Sequence, residues 1–178
     1  QLKQYEDSGF VSPINIFSRE KAKEIRNEIE LIEKKLPNEL EKSGRYNAHL
    51  ISTMLDEVTH NENILNAVES LIGGNILVCG TTLFIKNPGE GGFVSYHQDA
   101  KYIGLEPHNW VTAWVAITDS NENNGCMRMW SGSHKNNLKE HDQNFNKKNL
   151  LTRGQTVNNV PDDQVVPLIL DAGQMSLH

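Results

Sequence analysis

Apolar residues recur at Ala22, Ile25, Ile29, Ile32 and Leu36, with Lys, Arg and Glu crowding the positions between them. Intervals of three and four keep one face of a helix apolar. The pattern predicts a helix entered through Ser18 as N-cap and stopped at Pro37. A shorter helix is expected over 54–59. Another should run from about 63, through Ile64, Leu65, Val68, Leu71 and Ile72, to Gly73-Gly74, where glycine suits a left-handed cap. The first third of the chain therefore reads as helical.

Beyond Asn75 the texture changes to short β-branched and apolar runs bounded by turn residues. Strands are expected over 76–78 and 81–85, the latter ended by Asn87-Pro88-Gly89, and over 93–99 after a Gly91-Gly92 turn. The run over 111–117 is the strongest, with 126–130 close behind and a polar hairpin turn over 121–125 between them. The span 135–163 has few apolar anchors and reads as a long surface excursion of the kind that forms lids or binding elements. Strands over 165–170 and 175–178 are separated by Asp171-Ala172-Gly173. Helices first and many short strands after them predict a mainly β fold, a sandwich or closed barrel backed by helices.

A length of 178 residues fits one domain, 1–178, with a sizeable core. The chain opens without methionine and stops inside a predicted strand, so the domain is expected to be incomplete at both ends. A net charge of −6 speaks against a surface that tracks nucleic-acid phosphates. No apolar run approaches the roughly 20 residues of a membrane span. Cys79 and Cys126 both lie in apolar, strand-like segments, which favours buried thiols in a reducing compartment and makes the cytoplasm the default address. Oligomeric state is not legible.

The chemistry concentrates in His97-Gln98-Asp99. Residues two apart on a strand share a face, and an imidazole with a carboxylate supplies two of the three ligands of a facial triad for non-heme Fe(II). The competing reading is a surface strand whose polar residues face water. Gln98 should point the other way and be structural. His49 lies between predicted helices; His60, His108 and His141 sit in polar surroundings and read as solvated, while His134 should order a turn.

Further along come Ala113-Trp114, Asn124-Gly125-Cys126, Gly132-Ser133-His134 and Gly173-Gln174-Met175-Ser176-Leu177-His178, in that order. With these motifs the chain resembles the phytanoyl-CoA dioxygenase family of Fe(II)- and 2-oxoglutarate-dependent oxygenases, from Tyr5 to His178. The resemblance implies a double-stranded β-helix, a cupin-like jelly roll with N-terminal helices packed on its sheet. It also implies Fe(II), 2-oxoglutarate as cosubstrate, and O2. Carried over to this chain, it makes His97 and Asp99 the first two iron ligands and puts Trp114 beside 2-oxoglutarate. Thr82 then falls on a strand lining the same pocket. Lys101, Tyr102 and Trp110 follow the metal segment near the expected mouth and are candidates for substrate contact. The family's distal histidine and its 2-oxoglutarate-binding arginine both fall past His178, which itself comes too early to be the third ligand.

Asp99 occupies the place that is small in iron halogenases of this superfamily, so the implied reaction is hydroxylation of a small molecule with release of succinate and CO2. No basic cluster marks a CoA-phosphate site, which favours a small polar metabolite. Two other readings compete. One is a catalytically silent or truncated jelly-roll binding module, favoured by the missing distal ligand and arginine. The other is a cupin-like metalloenzyme independent of 2-oxoglutarate, which would need extra histidines on the metal strand.

Overall fold

The structure, a computed structural model, describes residues 1–36, 46–143, 146–151 and 155–178. The stop assigned to Pro37 lies outside the described residues. Ser18 caps the longest helix by accepting the Lys21 amide, and α2 (Arg19–Lys35) buries the expected Ala22, Ile25, Ile29 and Ile32. Ile25, Ile29 and Ile32 meet Ala48, Leu55 of α3 (Thr53–Thr59), and the half-buried Leu83, Ile85 and Ile117. Each fully buried aliphatic side chain contributes about 1.5–3 kcal/mol relative to exposure. Leu36 stays exposed, so the apolar stripe ends a turn before the helix does. Helix α4 (Glu62–Ile72) starts at Asn61, whose side chain accepts the amides of Asn63 and Ile64. It packs Ile64 and Val68 onto the main sheet.

That sheet corrects the all-helical reading of the first third. Two elements were not anticipated: α1 (Leu2–Ser8) and β1 (Val11–Asn15). The sheet order is β1–β7–β2, with β7 (Gln174–Leu177) central and antiparallel both to β1 and to β2 (Ala113–Val115). Met175 and Leu177 face α4 in one core with Val11 and Ile16. A five-residue strand containing Pro13, beside a run of helical spacing, carries little alternation to announce itself.

Four further expectations differ. The segments 111–117 and 126–130 do not form a hairpin, because β3 (Arg128–Trp130) pairs with β6 (Val165–Pro167) in a separate sheet. Residues 121–125 nonetheless turn as expected, through a capped 3-10 segment closed by Gly125 in the left-handed region. Residues 76–85 and 93–98 are extended but form no regular ladder among the described residues; their sheet-type pairings are the isolated bridges of Tyr46 with Thr82 and Phe93 with Asn149. The span 135–163 is not a detached excursion. It carries β4 (Asp142–Gln143) paired with β5 (Gln155–Thr156), and it buries Val157. Gly73 holds φ 83 and ψ 173, so it has the positive φ that favours glycine but lies outside the left-handed helical well of the expected cap.

Among the described residues helices therefore occupy more of the chain than paired strands do, so "mainly β" describes the extended segments better than the ladders. α5 (Ala100–Ile103) is a single turn directly after Asp99. Cys126 is buried, Cys79 is exposed, and neither is in a disulfide. No helix of the described residues is long and apolar enough to cross a membrane.

Candidate metal centre

His97 sits on the extended segment, but Asp99 does not. Its backbone has turned to φ −56 and ψ −38 and opens α5. Strand alternation is thus the wrong reason for a correct juxtaposition: a bend at Asp99 brings its carboxylate to 3.2 Å from His97 Nε2. The ring is oriented from behind, since His97 Nδ1 lies 2.8 Å from the Ser95 carbonyl, which can only accept. A neutral His97 with its proton on Nδ1 presents a bare Nε2 lone pair to a carboxylate oxygen. Two acceptors at that distance call for a proton or a cation between them. Cis ligands of one ion, each about 2.1 Å from it, stand ~3 Å apart, so the donor set and its spacing fit a divalent metal.

Three further side chains build the cluster. Thr112 Oγ1 donates to Asp99 Oδ2 at 2.5 Å while accepting Trp110 Nε1–H at 3.0 Å. Tyr102, on α5, meets the His97 ring edge-on with centroids 5.7 Å apart. His178 Nε2 lies 3.6 Å from Asp99 Oδ2, held there by the backbone exchange between Thr112 and His178 that extends the β2–β7 ladder. Val111, Ala113 and Val115 pack towards the helices, so alternation turns Thr112 and Trp114 to the opposite face. Trp114 stands directly across from Ser176, whose hydroxyl is fully buried with no hydrogen-bond partner among the described residues.

The electrostatics follow from burial and contacts. Burial works against a charged His97, yet its bonds to Asp99 and Ser95 and the Asp99 charge prevail and raise its pKa. Burial would likewise raise Asp99, but the His97 bond, the His178 charge and the Thr112 hydroxyl bring it down to about 2. His178 is lowered, first by burial and then by His97, against the pull of Asp99.

Of the residues singled out by sequence, the structure gathers His97, Asp99, Tyr102 and Trp110, with Trp114 on the same sheet face as Thr112. Lys101 is exposed on α5. Thr82 is exposed and bridges Tyr46, with its neighbours Leu83 and Ile85 turned towards the helices. His49 bonds the Thr81 hydroxyl at 2.9 Å, and His134 reaches the Glu6 carbonyl at 3.0 Å. His141, read as solvated, is half-buried and accepts the Gln98 amide. Thr112 and His178 are the cluster members that sequence reasoning missed or set aside. The alternation that puts Thr112 on the Trp114 face was the signal for the first. Among the described residues, no group of three His, Cys, Asp or Glu side chains is arranged to hold a metal.

A cavity of about 100 Å³ opens beside residues 96–98, bounded by Arg128, Trp130 and Lys139. A wider groove of about 400 Å³ between α2 and Asp119 is remote from this chemistry. Its two arginines are matched, Arg19 with Asp119 and Asp171 and Arg26 with Glu30.

Comparison with known proteins places this geometry in context. Rat (Rattus norvegicus) peroxisomal phytanoyl-CoA dioxygenase is 31% identical over 165 residues, covering 80% of this chain and 49% of that protein. A probable alpha-ketoglutarate-dependent hypophosphite dioxygenase of Stutzerimonas stutzeri is 25% identical over 158 residues, covering 79% and 55%. Among solved structures, the apo form of ThoJ, a non-heme monooxygenase, has a TM-score of 0.86 at 30% identity, covering 99% of this chain and 66% of that one. CytC3 with Fe(II) and alpha-ketoglutarate has a TM-score of 0.64 at 22% identity, covering 99% and 64%, a likeness of fold alone. The chain spans about half the length of the curated relatives it matches. The phytanoyl-CoA dioxygenase (PhyH) family model matches residues 5–178, nearly the whole of the sequence, and the chain belongs to that family.

Proposed function

We propose that this chain is the metal-bearing part of an Fe(II)- and 2-oxoglutarate-dependent dioxygenase that hydroxylates a small molecule and releases succinate and CO2. The observation that carries the reading is the facing of His97 Nε2 and Asp99 Oδ1 at 3.2 Å, in a chain of this family. His97 and Asp99 would hold the iron. When bound, Fe(II) with 2-oxoglutarate supplies the oxidising chemistry with O2, while the protein orients the reactants and keeps water out.

The chain's own residues have distinct tasks in this reading. Ser95 fixes the His97 tautomer, and Thr112 holds Asp99 ionised and in one rotamer. Trp114 would flank 2-oxoglutarate, and the unspent Ser176 hydroxyl beside it suits a polar ligand there; Thr82 is kept as a second contact on the family resemblance alone, its side chain being exposed here. Lys101, Tyr102 and Trp110 border the substrate. Asp99 fills the position a halide would need, so hydroxylation is proposed over halogenation. The short antiparallel sheets are read as part of a double-stranded β-helix, on the likeness to ThoJ. Localisation is proposed as cytoplasmic on the free thiols alone.

A second reading, a catalytically silent jelly-roll binding module, is favoured by the lack of a three-ligand group among the described residues. Substrate-dependent succinate formation by the full-length protein separates the two. His97→Ala and Asp99→Ala should each abolish it, and turnover unchanged in either variant rejects the site.

A further inference from the structure

Between the two proposed ligands lies Gln98, and every polar group of its amide and side chain is taken up by one short strap, residues 137–141. The Gln98 backbone N–H donates to His141 Nε2 at 3.0 Å. Its side-chain oxygen accepts the Lys139 amide at 2.7 Å, and its side-chain nitrogen donates to the Asn137 carbonyl at 3.3 Å. His141 Nδ1 lies 2.9 Å from the Lys139 carbonyl. A carbonyl only accepts, so Nδ1 carries the proton and Nε2 is free to receive the Gln98 amide. The two bonds together select one neutral tautomer.

The strap is itself anchored on both sides. Asn137 holds φ 58, a positive-φ backbone that turns the chain into it. The Lys139 ammonium lies 4.6 Å over the Trp130 ring, and Trp130 Nε1 donates to Gln164. Past the strap, β4 pairs with β5, Asn158 donates to Asp142, and the Val157 amide donates to the Tyr96 carbonyl at 2.7 Å. Residues 96–98, which lack a regular ladder of their own, are thus held at Tyr96 by Val157 and at Gln98 by the strap.

We propose that His141 is a positioning residue: by holding the Gln98 amide it fixes the bend that sets Asp99 against His97. This rests on the reading of His97 and Asp99 as metal ligands. Groups that orient metal ligands typically change metal affinity 10- to 100-fold when lost. Because Gln98 is one bond removed from each ligand, the expected effect lies at the lower end.

The test uses the full-length protein and Mn(II) as probe. His141→Phe keeps the ring's bulk and removes the acceptor, so it should weaken Mn(II) binding about tenfold. His141→Gln, whose side-chain oxygen can reach the Gln98 amide, should bind within about twofold of wild type on the same scale. A readout independent of metal comes from the apo protein: imidazole ¹⁵N shifts should report a proton on Nδ1 of His141, and the Gln98 amide should exchange slowly with solvent. Wild-type Mn(II) affinity in His141→Phe, while His97→Ala loses binding, overturns the brace and leaves the ligand reading intact. Undiminished binding in His97→Ala overturns the ligand reading and the brace with it. Should His141→Phe fail to fold, a proton on Nε2 or a freely exchanging Gln98 amide in the wild type still rejects the proposal.

Discussion

Thr112 donates its hydroxyl to Asp99 Oδ2 at 2.5 Å, across thirteen residues of chain and from a different element. The bond links the first β2-side residue of the sheet to the turn that carries the proposed ligand. The same hydroxyl accepts a hydrogen bond from Trp110 Nε1–H. Thr112→Val keeps the shape and removes that donor. A hydrogen bond to a charged group is worth about 1.5–3 kcal/mol, so the Asp99 carboxyl should titrate higher and Mn(II) should bind about tenfold more weakly. Thr112→Ser should restore both. Carbon-13 shifts of Asp99 against pH, with a metal titration, measure the two effects, and no change in Thr112→Val would show the bond to be idle.

Ser176 buries a hydroxyl without a partner among the described residues. Removing an unsatisfied polar group relieves a desolvation cost of about 1–3 kcal/mol. Ser176→Ala should therefore melt at or above the wild-type temperature in the ligand-free protein. If that hydroxyl meets 2-oxoglutarate, the same variant should raise KM for 2-oxoglutarate several-fold with kcat little altered. A lowered melting point combined with an unchanged KM would contradict both expectations.

Gly173 and Gly89 separate two costs of a side chain. Both have positive φ, 93 and 80. A Cβ on Gly173 would lie 2.4 Å from the Phe17 carbonyl oxygen, whereas one on Gly89 meets nothing within 4 Å. The Gly173 carbonyl also accepts the amides of Ile16 and Phe17, locking the end of β1 to the β6–β7 turn. Gly89→Ala should cost about 1–2 kcal/mol from backbone conformation alone. Gly173→Ala adds overpacking against rigid backbone, another 1–3 kcal/mol or so. Denaturant midpoints at constant m-value should rank them in that order.

Asp119 accepts from the Ala172 amide at 2.9 Å and from Arg19 at 2.9 Å, tying the start of α2 to the same turn. The Ala172 bond first, and then Arg19, lower its pKa in the folded state. The stability it adds is thus complete above the unfolded value of about 3.9 and is lost as pH falls through the folded value. Asp119→Asn should melt below wild type near neutrality, with the gap closing under acid. The pair is exposed, so raising the salt should also narrow it. A gap that widens in acid would contradict this sign.

Periodicity determined α2 and α4, because each buries a stripe that one helix can present by itself: Ala22, Ile25 and Ile29 need no knowledge of their partner to be recognised as a face. Residue chemistry and motif order determined the family and named His97 and Asp99. Strand pairing was decided only by the tertiary structure. A ladder is made between segments far apart in sequence, and nothing in Val11 or Ile14 says that Leu177 and Met175 will be opposite them. The same holds for the support around the site. The bend at Asp99, the Thr112 hydroxyl beneath it, His178 beside it and the strap holding Gln98 come from four stretches of chain. Their hydrogen bonds are directional and short-ranged, so they exist only once the fold has brought those stretches within 3 Å or so of each other.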